Sequence, residues 1–227
     1  VNVVPAVHPG TPLALLGWPL AAFSLTLLAA FLGEMQRYER PGEVMERLGL
    51  TVLALASVGV LLSFVCQLRL LGPAAGPLGS WGVAALASLV ITVKMSDIGA
   101  YTVGRLIGRH KMSPVLSPGK TWEGAVGGIA FACLGSWVSL ALLAPALGVE
   151  PRFGWSFLPY GVLVGAAGIF GDVAESLIKR DVGRKASSAW MPGFGGGLDL
   201  LDSVLFASPV AYLAWKLGLI VAGPALG

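Results

Sequence analysis

The most informative stretch of the chain is GDVAESLIKRDVGRKASSAWMPGFGGGLDLLDS, residues 171–203, which lies between two strongly apolar segments. It holds lysines, arginines, a glycine run and four acids, namely Asp172, Glu175, Asp199 and Asp202. These acids lie inside or at the ends of segments that otherwise have the composition of membrane spans. A charge at the centre of a bilayer costs at least about 2.5–3.5 kcal/mol by insertion scales, so such groups usually mark a function. The stretch therefore predicts a membrane protein with polar chemistry near a membrane surface.

The composition of the whole chain agrees with a membrane location. Of the 227 residues, 56% are hydrophobic and only 12% are charged, whereas soluble domains contain about 25% charged residues. The net charge of +3 is modest, and most basic residues lie in short loops. This distribution favours contact with anionic lipid headgroups or phosphate substrates and argues against a nucleic-acid partner.

Six apolar segments are long enough to cross a bilayer, which takes about 20 residues each. They are residues 12–32, 48–71, 79–103, 122–147, 157–178 and 199–222. We interpret residues 1–227 as one all-α domain, a polytopic membrane helix bundle with N-terminal spans in 12–71 and catalytic-type spans in 79–222. Odd-numbered spans run one way and even-numbered spans return. The polar ends of the third and fifth spans and the polar start of the sixth therefore meet on one side.

The basic residues indicate which side this is. Eleven of the fifteen lysines and arginines lie in three loops that share one side, with three in 33–47, four in 104–121 and four in 179–198. The positive-inside rule places these loops in the cytoplasm and both termini outside. No signal peptide is recognisable, and the chain reads as a fragment or a shortened form.

Small residues recur at helical spacing within the apolar segments. Gly104 and Gly108, Gly124 and Gly128, and the series Gly161, Gly165, Gly168 and Gly171 suit close helix contacts. The two cysteines, Cys66 and Cys133, have no second Cys or His at ligand spacing and are interpreted as small buried hydrophobes.

The acids and lysines of the opening stretch have spacings that place them together. On a helix, Asp172, Glu175 and Lys179 lie within about 60° of one another, and Asp199 and Asp202 share a face of the next span. Such hard oxygen ligands suit Mg²⁺, which takes one or two carboxylates together with water and substrate phosphates. The alternative is a structural network in which the acids pair with Lys179, Arg180 and Lys185. Spacing alone leaves both open and favours the metal.

Three shorter signals accompany these acids. In SPGKTWEG, residues 117–124, Thr121 is a candidate helix cap, Glu123 falls in the first turn, and Lys120 is a candidate phosphate contact. The alternative is a plain helix start with an interfacial Trp122. The run PGFGGG, residues 192–197, is a weak candidate for an anion-binding nest. Asp97 ends the third span and has Lys94 one turn earlier as a structural partner.

These motifs, taken together and in order, resemble a known family. DIGAYTVGRLIGRHKMSPVLSPGKTWEG at 97–124, GDVAESLIKRD at 171–181, and then Lys185 followed by PGFGGGLDLLDS at 192–203 resemble phosphatidate cytidylyltransferase, also called CDP-diacylglycerol synthase. The resemblance covers roughly residues 94–212. The N-terminal spans match only in hydrophobicity.

The resemblance implies transfer of a cytidylyl group from CTP to phosphatidate, with Mg²⁺ as cofactor and a second cation left open. It also implies a bacterial inner-membrane location, a site facing the cytoplasm, contact with membrane lipid, and a homodimer. The metal residues it implies are Asp172, Asp199 and Asp202. The catalytic residues it implies are Asp97, Lys120, Asp172, Lys179, Lys185 and Asp199. The substrate-binding residues are Ser117, Lys120, Thr121, Glu123, Lys179, Arg180, Lys185, Gly195 and Gly196.

Three positions depart from the family pattern. Ala186 stands where the family commonly has Asp, Phe194 where it has His, and Leu200 where it has Arg. Ala186 removes a carboxylate from the expected site. The alternatives are therefore a cytidylyltransferase for another lipid phosphate, or a catalytically impaired relative that binds lipid or nucleotide. A transporter or channel is disfavoured because the acids cluster at one interface instead of spreading through the membrane depth.

Overall fold

The computed structural model describes residues 17–38, 42, 44–71, 80–150, 154–181 and 197–220, with side chains except at 17–18 and 197–200. Six helices and a two-stranded hairpin make up this part of the chain. The helices are α1 (Gly17–Gln36), α2 (Val44–Arg69), α3 (Ser80–Ile107), α4 (Trp122–Ala146), α5 (Phe157–Asp181) and α6 (Gly197–Lys216). The strands are β1 (Lys111–Ser113) and β2 (Ser117–Thr121), which pair antiparallel.

Two of the helices change their winding midway. In α2 a π-helical segment, Leu55–Val60, lies between the α-helical parts Val44–Ala54 and Leu61–Arg69. In α4 the π-helical segment Val138–Leu143 separates Trp122–Trp137 from Ala144–Ala146.

The structure confirms an all-α membrane bundle. Five helices, α1 to α5, are long and apolar enough to cross a membrane, with Pro19–Gln36 as the apolar part of α1. The sixth predicted span corresponds to α6, which packs in the bundle against α5. Most helix limits lie within a few residues of the predicted ones. The helices extend into polar residues such as Glu46 and Arg105 because apolar composition marks the bilayer core, whereas backbone hydrogen bonding continues into the interface.

Helix α3 is the central element of the bundle, and its closest neighbour is α4. Their contact is made through glycines, as the small-residue spacing predicts. A Cβ at Gly124 would lie 2.8 Å from the carbonyl oxygen of Ala100, and one at Gly99 would lie 2.5 Å from the Phe131 side chain. The backbones of α3 and α4 can approach this closely only because these positions carry no side chain.

Glycines of α5 make the contacts to the helices on either side of it. A Cβ at Gly161 would lie 2.6 Å from Cys133 Cα in α4, and one at Gly171 would lie 2.5 Å from Phe206 Cβ in α6. The tight contacts predicted for this glycine series are therefore confirmed at these positions.

A buried polar contact joins three helices away from the acids. The Ser88 hydroxyl of α3 lies 2.8 Å from the Tyr160 hydroxyl of α5, and Trp215 Nε1 of α6 donates to Ser88 Oγ at 3.2 Å. Ser88 precedes Asp97 by nine residues, about 13 Å along the helix. This contact fixes α3, α5 and α6 relative to one another in the half of the bundle that is remote from Asp97.

The periphery of the bundle differs from its core. Helix α1 contributes no buried residue over Pro19–Gln36 and is joined to α2 by an ion pair of 2.9 Å between Glu34 and Arg47.

The interpretation of both cysteines as buried was wrong for Cys66, which is exposed. The reason is that α2 turns the neighbouring Gln67 and Leu68 toward the core, which leaves Cys66 on the outer face.

We expect the Gly161→Ala variant to be destabilised by about 1–3 kcal/mol, because its new methyl group meets the backbone of Cys133 and the helices must separate. Thermal unfolding in detergent measures the change. The matched control is Gly49→Ala, since a Cβ at this helical position of α2 meets nothing within 4 Å, and this variant should be as stable as the parent or slightly more so. Equal unfolding temperatures for the two variants would contradict the close contact of α4 and α5.

Candidate active site

The polar helix ends of the bundle enclose one cavity of about 390 Å³. Residues of α3, α4, α5, α6 and β2 line it, and three of these residues are the carboxylates Asp97, Asp172 and Asp202. The polar ends of the third, fifth and sixth spans therefore meet, as their alternating directions predict. Ligand pockets commonly have about 300–1,000 Å³, so this volume suits part of a nucleotide or a phosphorylated headgroup.

The hairpin brings the segment 117–121 to this cavity. Ser117, Lys120 and Thr121 line it, and β2 leads directly into α4. The Thr121 side chain accepts a hydrogen bond from Gly124 N at 3.1 Å, which confirms the predicted cap of α4. A Cβ at Gly108 would lie 2.6 Å from Thr121 Oγ1, so the end of α3 needs a glycine where the capped turn approaches it.

Glu123 holds the base of the hairpin. Its carboxylate accepts hydrogen bonds from the backbone N–H groups of Arg109 and His110 at 3.1 and 3.2 Å, and it lies 2.6 Å from His110 Nδ1. The predicted substrate contact Glu123 is not one of the residues that line the cavity. In this structure its carboxylate fixes the segment that follows α3 to the first turn of α4.

Lys120 and Asp172 both line the cavity and are close enough to pair. Lys120 Nζ lies 2.8 Å from Asp172 Oδ2, within ion-pair distance. The ammonium nitrogen is buried, and no acceptor among the described residues meets it in hydrogen-bonding geometry. An ammonium group has three N–H donors. The Lys120 side chain therefore keeps donors for an oxygen ligand that enters the cavity.

The other two carboxylates that line the cavity also have near partners. Lys94 Nζ donates to Asp97 Oδ2 at 2.9 Å, so the structural partner expected for Asp97 is present. In α6 the carboxylate of Asp202 accepts hydrogen bonds from the backbone N–H and the hydroxyl of Ser203, at 2.5 and 3.1 Å. Both Asp202 and Ser203 are buried.

Three further residues of α5 are not among those that line the cavity. Lys179 Nζ is 3.0 Å from Glu175 Oε2, one turn earlier on the helix, and both side chains are largely buried. Arg180 Nε donates to the Leu116 carbonyl oxygen at 3.3 Å. Arg180 thus connects the end of α5 to the hairpin turn, and the Lys179–Glu175 pair matches one part of the structural network weighed from the sequence.

Mg²⁺ is the cation that the resemblance implies, and the side chains at the cavity include oxygen ligands of the kind it binds. Among the described side chains, which exclude that of Asp199, no group of three His, Cys, Asp or Glu residues is assembled as a metal site. Asp172 and Asp202 nevertheless present carboxylates to the same cavity. Since Mg²⁺ takes one or two carboxylates and completes its shell with water and substrate phosphates, the residues present fit this ion.

Several predicted site residues lie outside the described part of the chain. These are Lys185, Gly195 and Gly196, together with the departures Ala186 and Phe194. Asp199 and Leu200 belong to the first turn of α6, where the backbone alone is described.

Sequence reasoning missed two polar residues that line the cavity, Tyr101 and Ser203. Tyr101 follows Asp97 by four residues and Ser203 follows Asp202 directly. The i, i+4 spacing on α3 was the available signal for Tyr101, because residues at this spacing share a helix face.

A bundle of apolar helices with an acidic and basic cavity at one end defines an integral membrane protein with a charged site at the ends of its helices. Comparison with known proteins identifies the class more closely. The model of the cytidylyltransferase family matches residues 6–217. The chain belongs to the cytidylyltransferase family.

Relatives of known sequence agree with this assignment. Phosphatidate cytidylyltransferase of Brucella suis is 38% identical over 133 residues, which is 59% of this chain and 47% of the relative. Phosphatidate cytidylyltransferase of Chlamydia muridarum is 37% identical over 124 residues, 55% of this chain and 40% of the relative. Protein YnbB of Escherichia coli is 40% identical over 124 residues, with the same two coverages of 55% and 40%. The matches span less than half of the length of each relative.

We expect the Glu123→Ala variant to loosen the segment that joins α3 to the hairpin, because two backbone N–H groups and His110 lose their acceptor. Trypsin cleavage after Arg109 and Lys111 should become several-fold faster in detergent, as followed by mass spectrometry of the fragments. The control is Glu150→Ala, which removes an exposed acid after α4 and should leave these cleavage rates unchanged. Parental rates in Glu123→Ala would show that the carboxylate does not hold the hairpin.

Proposed function

We propose that this chain transfers the cytidylyl group of CTP to the phosphate of a membrane lipid, with phosphatidate as the acceptor and CDP-diacylglycerol and pyrophosphate as products. The observation that carries the proposal is the buried Lys120 ammonium group. It lies 2.8 Å from Asp172 in a cavity at one end of the bundle and has no acceptor in hydrogen-bonding geometry among the described residues. Asp172 compensates the charge of this group on one side, and a phosphate oxygen is a matching acceptor for its remaining N–H donors.

The comparisons support the choice of substrates. Membership of the cytidylyltransferase family favours a nucleotide and a phosphate acceptor, and two of the relatives are named phosphatidate cytidylyltransferases. The location of the cavity at the ends of membrane helices favours an acceptor that resides in the bilayer.

In the proposed reaction an oxygen of the lipid phosphate forms a bond to the α-phosphorus of CTP. The bond from that phosphorus to the oxygen bridging the α- and β-phosphates breaks, and pyrophosphate leaves. Lys120 donates to phosphate oxygens and offsets their negative charge, and the cap at Thr121 holds the backbone that presents Lys120. The chain needs to supply no nucleophile, since the attacking oxygen belongs to the lipid.

Asp172, Asp202 and Asp199 are the residues that would hold Mg²⁺. When bound, the ion supplies positive charge that neutralises phosphate oxygens as the reaction proceeds. Lys120 pairs with Asp172, one of these carboxylates, at 2.8 Å. Asp97 lines the same cavity and keeps its pairing with Lys94.

We further propose that the cavity faces the cytoplasm across a bacterial inner membrane. Support comes from the sequence, in which alternating span directions put the three basic loops on the side where the spans that carry Asp97 and Asp172 have their polar ends. CTP is also made in the cytoplasm. The homodimer expected from the resemblance stays a prediction.

The proposal is tested by measuring CDP-diacylglycerol formation from CTP and phosphatidate in detergent with Mg²⁺. We expect turnover that is lost on chelation with EDTA and restored by added Mg²⁺. A panel that includes polyprenyl phosphate and ether-lipid phosphate reports the acceptor. The same panel is measured with the Ala186→Asp variant. Product from this variant alone would identify the chain as an impaired relative, and no product from either protein would refute the proposal.

We expect Asp172→Asn and Asp199→Asn each to reduce turnover by at least about a hundredfold, since each replaces a charged cation ligand by a neutral amide. The matched control is Asp181→Asn, the same change at an exposed position at the end of α5, which should retain parental turnover. Parental rates in either of the first two variants would contradict the assignment of the metal acids.

A further inference from the structure

Tyr101 and Arg105 form a pair at the margin of the cavity that the proposed mechanism does not use. Tyr101 lines the cavity and is also 66% exposed on the outside of the bundle. Arg105, one turn further along α3, donates from Nη1 to the Tyr101 hydroxyl at 2.7 Å, and its guanidinium carbon lies 5.9 Å from the centre of the Tyr101 ring. The pair therefore lies between the cavity and the exposed outer face of α3.

The surroundings of this pair are apolar and exposed. Ile98 lies one turn before Tyr101 on the same face of α3, within the predicted span 79–103, and is 53% exposed. In a membrane helix, exposed aliphatic residues contact lipid chains. The pair is thus placed where the acyl chains of a lipid can lie outside the bundle while its headgroup reaches the cavity.

Arg105 differs from Lys120 and Lys94 in the kind of partner that its side chain has. Lys120 is paired with Asp172, and Lys94 is paired with Asp97. The recorded partner of Arg105 is a neutral phenol, and within the described residues no carboxylate lies at ion-pair distance from it. A guanidinium group has five donors and binds phosphate with two of them at once. The Tyr101 hydroxyl accepts from Arg105 and keeps its own proton to donate onward.

We propose that Tyr101 and Arg105 bind the phosphate monoester of the lipid acceptor and hold it at the cavity mouth, with its chains against Ile98. This inference rests on the proposed function and assigns the lipid side of the same site, whereas Lys120 serves the nucleotide side. The alternative role for the pair is an interfacial anchor, in which a tyrosine and an arginine fix the depth of α3 in the bilayer without touching substrate.

The test compares Arg105→Gln and Tyr101→Phe with the matched control Arg109→Gln. The Arg109 side chain is exposed near the hairpin and does not line the cavity. The KM for phosphatidate and the KM for CTP are measured separately in mixed micelles. Binding of dioctanoyl phosphatidate to the purified protein without CTP is measured in parallel, with dioctanoyl phosphatidylcholine as the ligand that lacks a phosphate monoester.

For Arg105→Gln we expect the KM for phosphatidate to rise by about tenfold or more, and for Tyr101→Phe by about threefold. These factors correspond to the loss of hydrogen bonds to a charged group. The KM for CTP should stay within about twofold of the parent. Arg109→Gln should match the parent in both constants.

Three results would overturn the inference. A rise in the KM for CTP alone would assign the pair to the triphosphate. A lower unfolding temperature with both KM values unchanged would show an anchor. Unchanged phosphatidate binding in Arg105→Gln would also exclude the role. If the parent makes no product but binds dioctanoyl phosphatidate in a manner that depends on Arg105, the proposed transfer fails and the phosphate site stands.

Discussion

The close contact of α3 and α4 is the constraint on which the site depends. Gly124 of α4 lies against the Ala100 carbonyl of α3, and Gly108 leaves room for the capped turn at Thr121. Only positions without side chains allow two helix backbones to approach so closely. This contact brings β2 to the polar end of α3 and fixes Lys120 opposite Asp172.

The site also requires that the charged groups at the polar helix ends be compensated by opposite charges. A charged group at the polar ends of membrane helices is retained when another charge or a strong dipole faces it. The cavity meets this requirement with paired groups, Lys120 with Asp172 and Lys94 with Asp97. These two pairs compensate the charges of Asp172 and Asp97 at the polar end of the bundle.

Much of the architecture could be predicted from residue order. Hydropathy located the helices because about 20 apolar residues are needed to cross a bilayer, and their alternating direction placed Asp97, Asp172 and Asp202 on one side. The cap at Thr121 followed from residue type. The hydrogen bonds of Glu123 to the backbone N–H groups of Arg109 and His110 could not be predicted in this way. These partners lie 14 and 13 positions away and meet Glu123 only when the chain turns back. The exposure of Cys66 also depended on which face of α2 meets its neighbours.

Residue order was enough to predict the membrane class, the approximate spans, the family and the side on which the polar groups gather. These follow from composition, from periodicity and from motifs that are local in the chain. Which of those polar groups share a cavity, and with which partner each is paired, became known from the folded arrangement of the helices. Lys179 and Arg180 turned to Glu175 and the hairpin, while Tyr101 joined the cavity wall. Distances across helices depend on packing angles and on where glycines allow close approach, and residue order encodes neither directly.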